Sequence, residues 1–274
     1  MRLIGIINIF VALLLLPACK EKKESPCNNA LSNVQYIPEK MGYTLLWEDN
    51  FDGDQLDTTK WSYRKSPRRI GMFSKEAISV KDGFLNISAF MKDDTLYTGI
   101  VETKDKFMTT YGYFECRAQM QQSSGIWSAF WLQSPKISQG EDPATFGAEI
   151  DIFEFFKNYG KDLTTHAIHY AYGPNMKSKG PFISHVKGLS HDFHTYALEW
   201  TPEKYVFYID GYKFHEETFG LSHTDEFIIL SLEIPGSKEE IKNMTLPDSF
   251  LIDYVRVYKK TRTEYAIFTK KHKK

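Results

Sequence analysis

After Tyr43 the chain alternates apolar and polar residues with a period of two, and no segment carries the i, i+3, i+4 stripe of a long amphipathic helix. The clearest runs are Phe84 to Phe90, Gly112 to Met120, Ser128 to Leu132, Glu149 to Phe156, Thr164 to Tyr172, Phe193 to Trp200, Tyr205 to Ile209, Phe227 to Ile234 and Phe250 to Tyr258. Turn residues such as Asp82-Gly83 and Asp210-Gly211 punctuate them. Many short strands at close intervals predict an all-β fold, a two-sheet antiparallel β-sandwich of the jelly-roll kind, occupying residues 41–260 as one domain. Within the second run, Phe114, Cys116, Ala118 and Met120 share one face and Glu115, Arg117 and Gln119 the other, so this strand divides a core from a polar surface or cleft.

The first residues follow another pattern. Arg2 precedes an apolar run from Leu3 to Leu16, then Leu16-Pro17-Ala18-Cys19 gives way to Lys20-Glu21-Lys22-Lys23-Glu24. The arrangement reads as an export signal over residues 1–18; the apolar run is short for a membrane-crossing helix, which needs about 20 residues. The Leu-Pro-Ala-Cys stretch resembles a bacterial lipoprotein box, with proline at its second position as a departure. It implies a lipid on Cys19 and attachment to a bacterial membrane, the outer one first; an ordinary signal peptide cut near Ala18 is the alternative. Residues 19–40 then read as a polar tether, and 261–274 as a basic, solvated tail.

Composition removes several function classes. Lys plus Arg (34) nearly balances Asp plus Glu (35), so no global field gathers nucleic acid. Three cysteines, one of them Cys19, make no disulfide framework, although Cys27 and Cys116 leave one bridge open. No His or Cys spacing suggests a catalytic transition metal, and no cofactor is expected for catalysis. Aromatics are 15% of residues, spread through the strand segments, which suits a core or a sugar-stacking cleft.

Candidate chemistry concentrates in Gly147-Ala148-Glu149-Ile150-Asp151-Ile152-Phe153-Glu154, where three acids interrupt an apolar strand. Glu149 and Asp151 share a face, but Glu154 is five residues beyond Glu149 and falls on the opposite one. A β-bulge between Asp151 and Glu154 restores it. The two glutamates then flank Asp151 and can bring their carboxyls to about 5–5.5 Å, the separation of a retaining glycosidase. Crowding and partial burial raise at least one pKa, and that group becomes the proton donor. Glu149 is read as nucleophile, Asp151 as the residue positioning it, and Glu154 as acid and then base. An edge-strand charge cluster or a calcium-binding trio is the competing reading of the same acids.

Glu149-Ile-Asp-Ile-Phe-Glu154 resembles the bulged catalytic motif of glycoside hydrolase family 16. The likeness extends through Trp47-Glu-Asp-Asn-Phe-Asp-Gly53, Tyr111-Gly-Tyr-Phe-Glu115, Trp127-Ser-Ala-Phe-Trp131, Phe193-His-Thr-Tyr196 with Trp200, and Ile252-Asp-Tyr-Val-Arg-Val-Tyr258. The resemblance implies a concanavalin-like jelly roll with a substrate cleft across its concave sheet, and retaining attack on β-linked glucans or galactans. It also implies Trp127 and Trp131 as sugar platforms, His169 as a ligand of sugar or carboxylate, and a structural calcium with Asp253 as a ligand. His166, three residues before His169, faces the other way on a regular strand, and His194 and Trp200 read mainly as fold residues.

A β-1,3 or mixed-linkage glucan is therefore the first substrate and polysaccharide the expected partner. A galactan such as agar, porphyran or carrageenan is the rival, with Lys65, Arg68 and Arg69 as sulfate ligands if their loop reaches the cleft. Transglycosylation shares the chemistry, and a non-catalytic carbohydrate-binding surface protein shares the fold. Residues 134–146 and 172–185 are expected to rim the cleft as loops.

Overall fold

A computed structural model of the protein describes residues 31–32, 34–64 and 69–260. The export signal with Cys19, most of the tether with Cys27, Lys65, Arg68 and the basic tail lie outside the described residues.

Two sheets pack face to face, and each run named from the alternation falls on a strand with ends within two residues of those expected. Across the ten-stranded sheet the main path runs from Tyr212–Glu217 through Tyr205–Ile209, His194–Trp200, Gly112–Gln119, Asp248–Lys260 and Phe84–Lys92 to Thr95–Thr98 and Met72–Phe73. The eight-stranded sheet runs from Lys177–His185 through Leu163–Tyr170, Glu149–Phe156, Trp127–Gln133, Glu226–Glu233 and Ile100–Glu102 to Ser62–Tyr63. Pairing is antiparallel except between Met72–Phe73 and Thr95–Thr98. The helix Pro143–Phe146 is a single turn, capped by the Asp142 side chain on the Ala144 N–H.

The core fills the space between the sheets. Phe114, Cys116 and Ala118 meet Phe130, Ile150, Phe153 and Ile168, all fully buried. Phe153 packs 4.3 Å from the Tyr196 ring and 6.0 Å from Phe250, tying the acidic strand to the opposite sheet. Cys116 is a free thiol in this core, on the inward face that its parity assigned to it.

The Trp47 to Gly53 block is a fold device. Asp49 accepts from the Trp61 indole at 2.8 Å and the Phe51 N–H at 3.0 Å, and Arg256 donates to Glu48 and Asn50, so the first strand, Tyr43–Asp49, is pinned to the last. His194 bonds Asp210 at 2.7 Å and closes the Asp210-Gly211 turn, while fully buried Trp200 donates to the Ser222 carbonyl.

Two expectations change. The described residues of 31–40, assigned to the tether, lie on the domain: the Leu31 and Tyr36 N–H groups donate to the carbonyls of Lys213 and Gly211, both at 2.7 Å, and the Tyr36 ring sits 5.2 Å from Tyr208. The edge strand Tyr212–Glu217 offers unpaired backbone groups, and this segment satisfies some of them. The stretch expected as a rim loop contains a strand, Lys177–His185, at the edge of the eight-stranded sheet. Its residues are nearly all exposed, so no apolar alternation marked it in the sequence.

Candidate active site

The site is built on a register fault. Phe130 stands opposite Phe153 but its neighbour Trp131 opposite Asp151, so Ile152 is an extra residue toward strand Trp127–Gln133. Toward Leu163–Tyr170 the pairs are Asp151 with Ala167 and Glu154 with Thr165. Ile152 thus has no register partner on either side. Ile152 and Phe153, consecutive in sequence, both enter the core, and Glu154 emerges with Glu149 and Asp151 on the outer face of the sheet.

There the three acids line a cavity of about 160 Å³ with Arg69, Trp127, Trp131, His169 and Glu233. Larger hollows adjoin it, one against Trp127, Phe156 and Tyr159 and the other against Trp131, Gln133 and Tyr172. Glu149 accepts from Gln133 Nε2 at 3.1 Å and from the Tyr172 hydroxyl, both on Oε2. Burial, followed by the charge of Glu149, pushes the Tyr172 phenol well up, so Tyr172 remains a donor. Asp151 is held by His169, whose Nε2 lies 3.2 Å from Oδ2 while its Nδ1 meets Ser178 Oγ at 2.6 Å. Glu154 still reaches the cavity surface, but the protein around its carboxyl displaces most of the water. Desolvation first, then the charges of Asp151, Glu149 and Glu233, push its pKa up to about 8, against a smaller opposing effect of His169.

The expected tryptophans are both on the cleft side, each with an arginine over its ring. Arg69 lies 4.2 Å from the Trp127 centroid and Arg64 5.7 Å from that of Trp131. Trp131 is only 4% exposed and donates its indole N–H to Ser231, which makes it floor more than platform. Arg69 itself lines the cleft and pairs with buried Glu233 at 2.8 Å.

Gln133, Tyr172, Arg64 and Glu233 were not singled out in the sequence. Gln133 continues the cleft-facing series Trp127, Ala129, Trp131, and Glu233 stands opposite Trp127, so parity could have found both. Tyr172 closed the run read from Thr164, but the strand ends at Tyr170, and Tyr172 reaches Glu149 from the segment beyond it, which the alternation did not signal. Asp253, expected to ligate calcium, is bonded instead to the Arg117 guanidinium, which supplies the positive charge a cation would bring. Glu149, Asp151 and His169 place ligand atoms within 4.8 Å of one another. A hard cation takes about six to eight oxygens, and this trio offers two carboxylates, one already paired with the histidine.

Residues 47–260 match the family model described as Beta-porphyranase A-D, GH16 domain. Glucan endo-1,3-beta-glucosidase A1 of Niallia circulans is 28% identical over 266 residues, covering 81% of this chain and 39% of that protein. Beta-glucanase of Rhodothermus marinus is 27% identical over 245 residues, covering 79% and 85%. The chain therefore spans about two fifths of the first relative's length and most of the second's. The laminarinase from Flavobacterium sp. UMI-01 shares the fold, with a TM-score of 0.65 at 23% identity over 79% of this chain and all of that one.

Carboxyl ¹³C NMR should find Glu154 titrating near pH 8. Glu149→Gln or Asp151→Asn should each lower that midpoint by removing a like charge; an unmoved midpoint in both would contradict the coupling.

Proposed function

The chain belongs to glycoside hydrolase family 16; we propose that it is an O-glycosyl hydrolase, an endo-acting, retaining enzyme for a β-linked polysaccharide, a β-1,3 or mixed-linkage glucan first. The observation that carries this reading is the Ile152 bulge, which gives Glu149 and Glu154 a common cavity with Asp151 between them. In the first step a Glu149 oxygen attacks the anomeric carbon as the Glu154 proton passes to the departing glycosidic oxygen. The glycosidic C–O bond breaks and a glycosyl ester forms. In the second, Glu154 takes a proton from water, whose oxygen attacks the same carbon and releases Glu149.

The surroundings suit these roles. Glu154 is the acid whose environment favours its protonated form at neutral pH, as a donor requires. Gln133 and Tyr172 grip one oxygen of Glu149 and so fix its rotamer. His169 orients Asp151. The steps need only carboxyls and water, with no cofactor.

A sulfated galactan is the second reading, favoured by Arg69, which enters the cavity beside Glu154 where an anionic sugar substituent would find it. Attachment through a lipid on Cys19 to a bacterial membrane belongs to the proposal as well, supported by Leu16-Pro17-Ala18-Cys19.

Glu149→Gln and Glu154→Gln should each lower turnover by about 10²–10⁴-fold while oligosaccharide binding survives; full activity in either variant refutes the pair. The wild-type rate should fall as pH rises through about 8, where Glu154 loses the proton it must donate. A reducing-end assay over laminarin, lichenan, agarose, porphyran and carrageenan identifies the substrate. If that is a sulfated galactan, Arg69→Gln should lower kcat/KM about tenfold or more, the worth of one charge-assisted hydrogen bond. Labelled palmitate should enter the wild type and not Cys19→Ala; equal labelling would remove the anchor from the proposal.

A further inference from the structure

Strand Leu163–Tyr170 carries two histidines, and the mechanism uses only His169. His166 points into the core and is fully buried. It lies between the pairs Ala167 with Asp151 and Thr165 with Glu154, directly across from the bulge. Its Nδ1 is 2.5 Å from the carbonyl oxygen of Ile152. Its Nε2 is 2.8 Å from Ser184 Oγ, which in turn stands 2.5 Å from the Thr164 hydroxyl. Phe207 and Phe214 close the pocket, with ring centroids 5.9 and 4.3 Å from the imidazole.

These contacts fix the ring's protons. A carbonyl only accepts, so Nδ1 carries a hydrogen and donates. Burial pushes the His166 pKa down to about 3, which keeps the ring neutral and leaves Nε2 to accept from Ser184. A bulge takes its extra residue out of the ladder, and a buried carbonyl without a donor is costly. The competing arrangement, a strand without the bulge, turns Glu154 into the core.

We propose that His166 is a positioning residue for hydrolysis: its Nδ1–H supplies the hydrogen bond that the bulge denies the Ile152 carbonyl, and thereby holds Glu154 on the face occupied by Glu149. The inference rests on the assignment of those two glutamates as the catalytic pair. Ser184 acts one step further out, since the hydrogen it gives to Nε2 selects the tautomer that serves Ile152.

Two amide substitutions separate the contacts. His166→Asn keeps an N–H near the Nδ1 position, whereas His166→Gln reaches toward Ser184 and abandons Ile152. His166→Asn should retain kcat within about threefold and keep the high-pH limb. His166→Gln should lose about ten- to a hundredfold in kcat, the cost of an ångström-scale misplacement, with KM nearly unchanged. Its high-pH limb should shift from the wild-type position, because a displaced Glu154 leaves the setting beside Asp151, Glu149 and Glu233 that fixes its pKa, with His169 and Arg69 the basic groups facing it. Equal kcat losses in the two variants, or a wild-type limb and kcat in His166→Gln, would overturn the proposal; a merely structural histidine would lower the melting temperature of both and leave the limb in place.

Should His166→Gln not fold, the wild type decides by NMR. A scalar coupling across the hydrogen bond from His166 Nδ1 to the Ile152 carbonyl carbon, with Nε2 unprotonated, is expected; an Nε2–H tautomer or no coupling overturns it. This measurement needs no substrate, so failure of the pin and failure of the catalytic pair read differently.

Discussion

A strand sends alternate side chains to opposite faces, and the acidic cavity of this protein depends on a place where that rule is broken, the extra residue at Ile152. Without the extra residue at Ile152, Glu154 would enter an apolar core, where an unpaired carboxylate costs several kcal/mol or must give up its charge. With it, two consecutive apolar residues, Ile152 and Phe153, are buried instead. The same local distortion serves packing and reactivity, because the core gains the Phe153 contacts with Tyr196 and Phe250 while the cleft gains its second glutamate.

Once on one face, the acids are distinguished by their company. Glu149 receives donors from Gln133 and Tyr172, and Asp151 receives one from His169. Glu154 has protein and like charges around it. Two identical side chains five residues apart are thereby placed in unlike surroundings, one gripped by donors and the other crowded by acids. Glu233, which adds to the negative charge felt by Glu154, is itself restrained by Arg69, and that arginine rests on Trp127. The electrostatic surroundings of Glu154 thus extend through Glu233 to Arg69 and Trp127.

Much of this was legible because burial imposes period on sequence. Strands with one face in the core, such as Phe114 to Met120 and Glu149 to Phe156, declared themselves, and the mismatch of parity at Glu154 pointed to a bulge before any coordinates. Lys177–His185 stayed hidden because an exposed edge strand has no face to mark. The described residues of 31–40 looked like linker because their contacts are largely through backbone, which composition does not encode. Tyr172 reaches Glu149 from a loop, and Arg117 claims Asp253 from a neighbouring strand. Both are meetings of residues far apart in sequence, and no local pattern announces them.

Two margins of the sandwich, one on each sheet, are guarded by different means. Along Tyr212–Glu217 the protein's own upstream segment occupies part of the open backbone, as a fitted hem would. Along Lys177–His185 the guard is chemical: two lysines and Pro181 make that border a poor template for another chain. Both devices work against the same hazard, the pairing of one copy's open strand with another's.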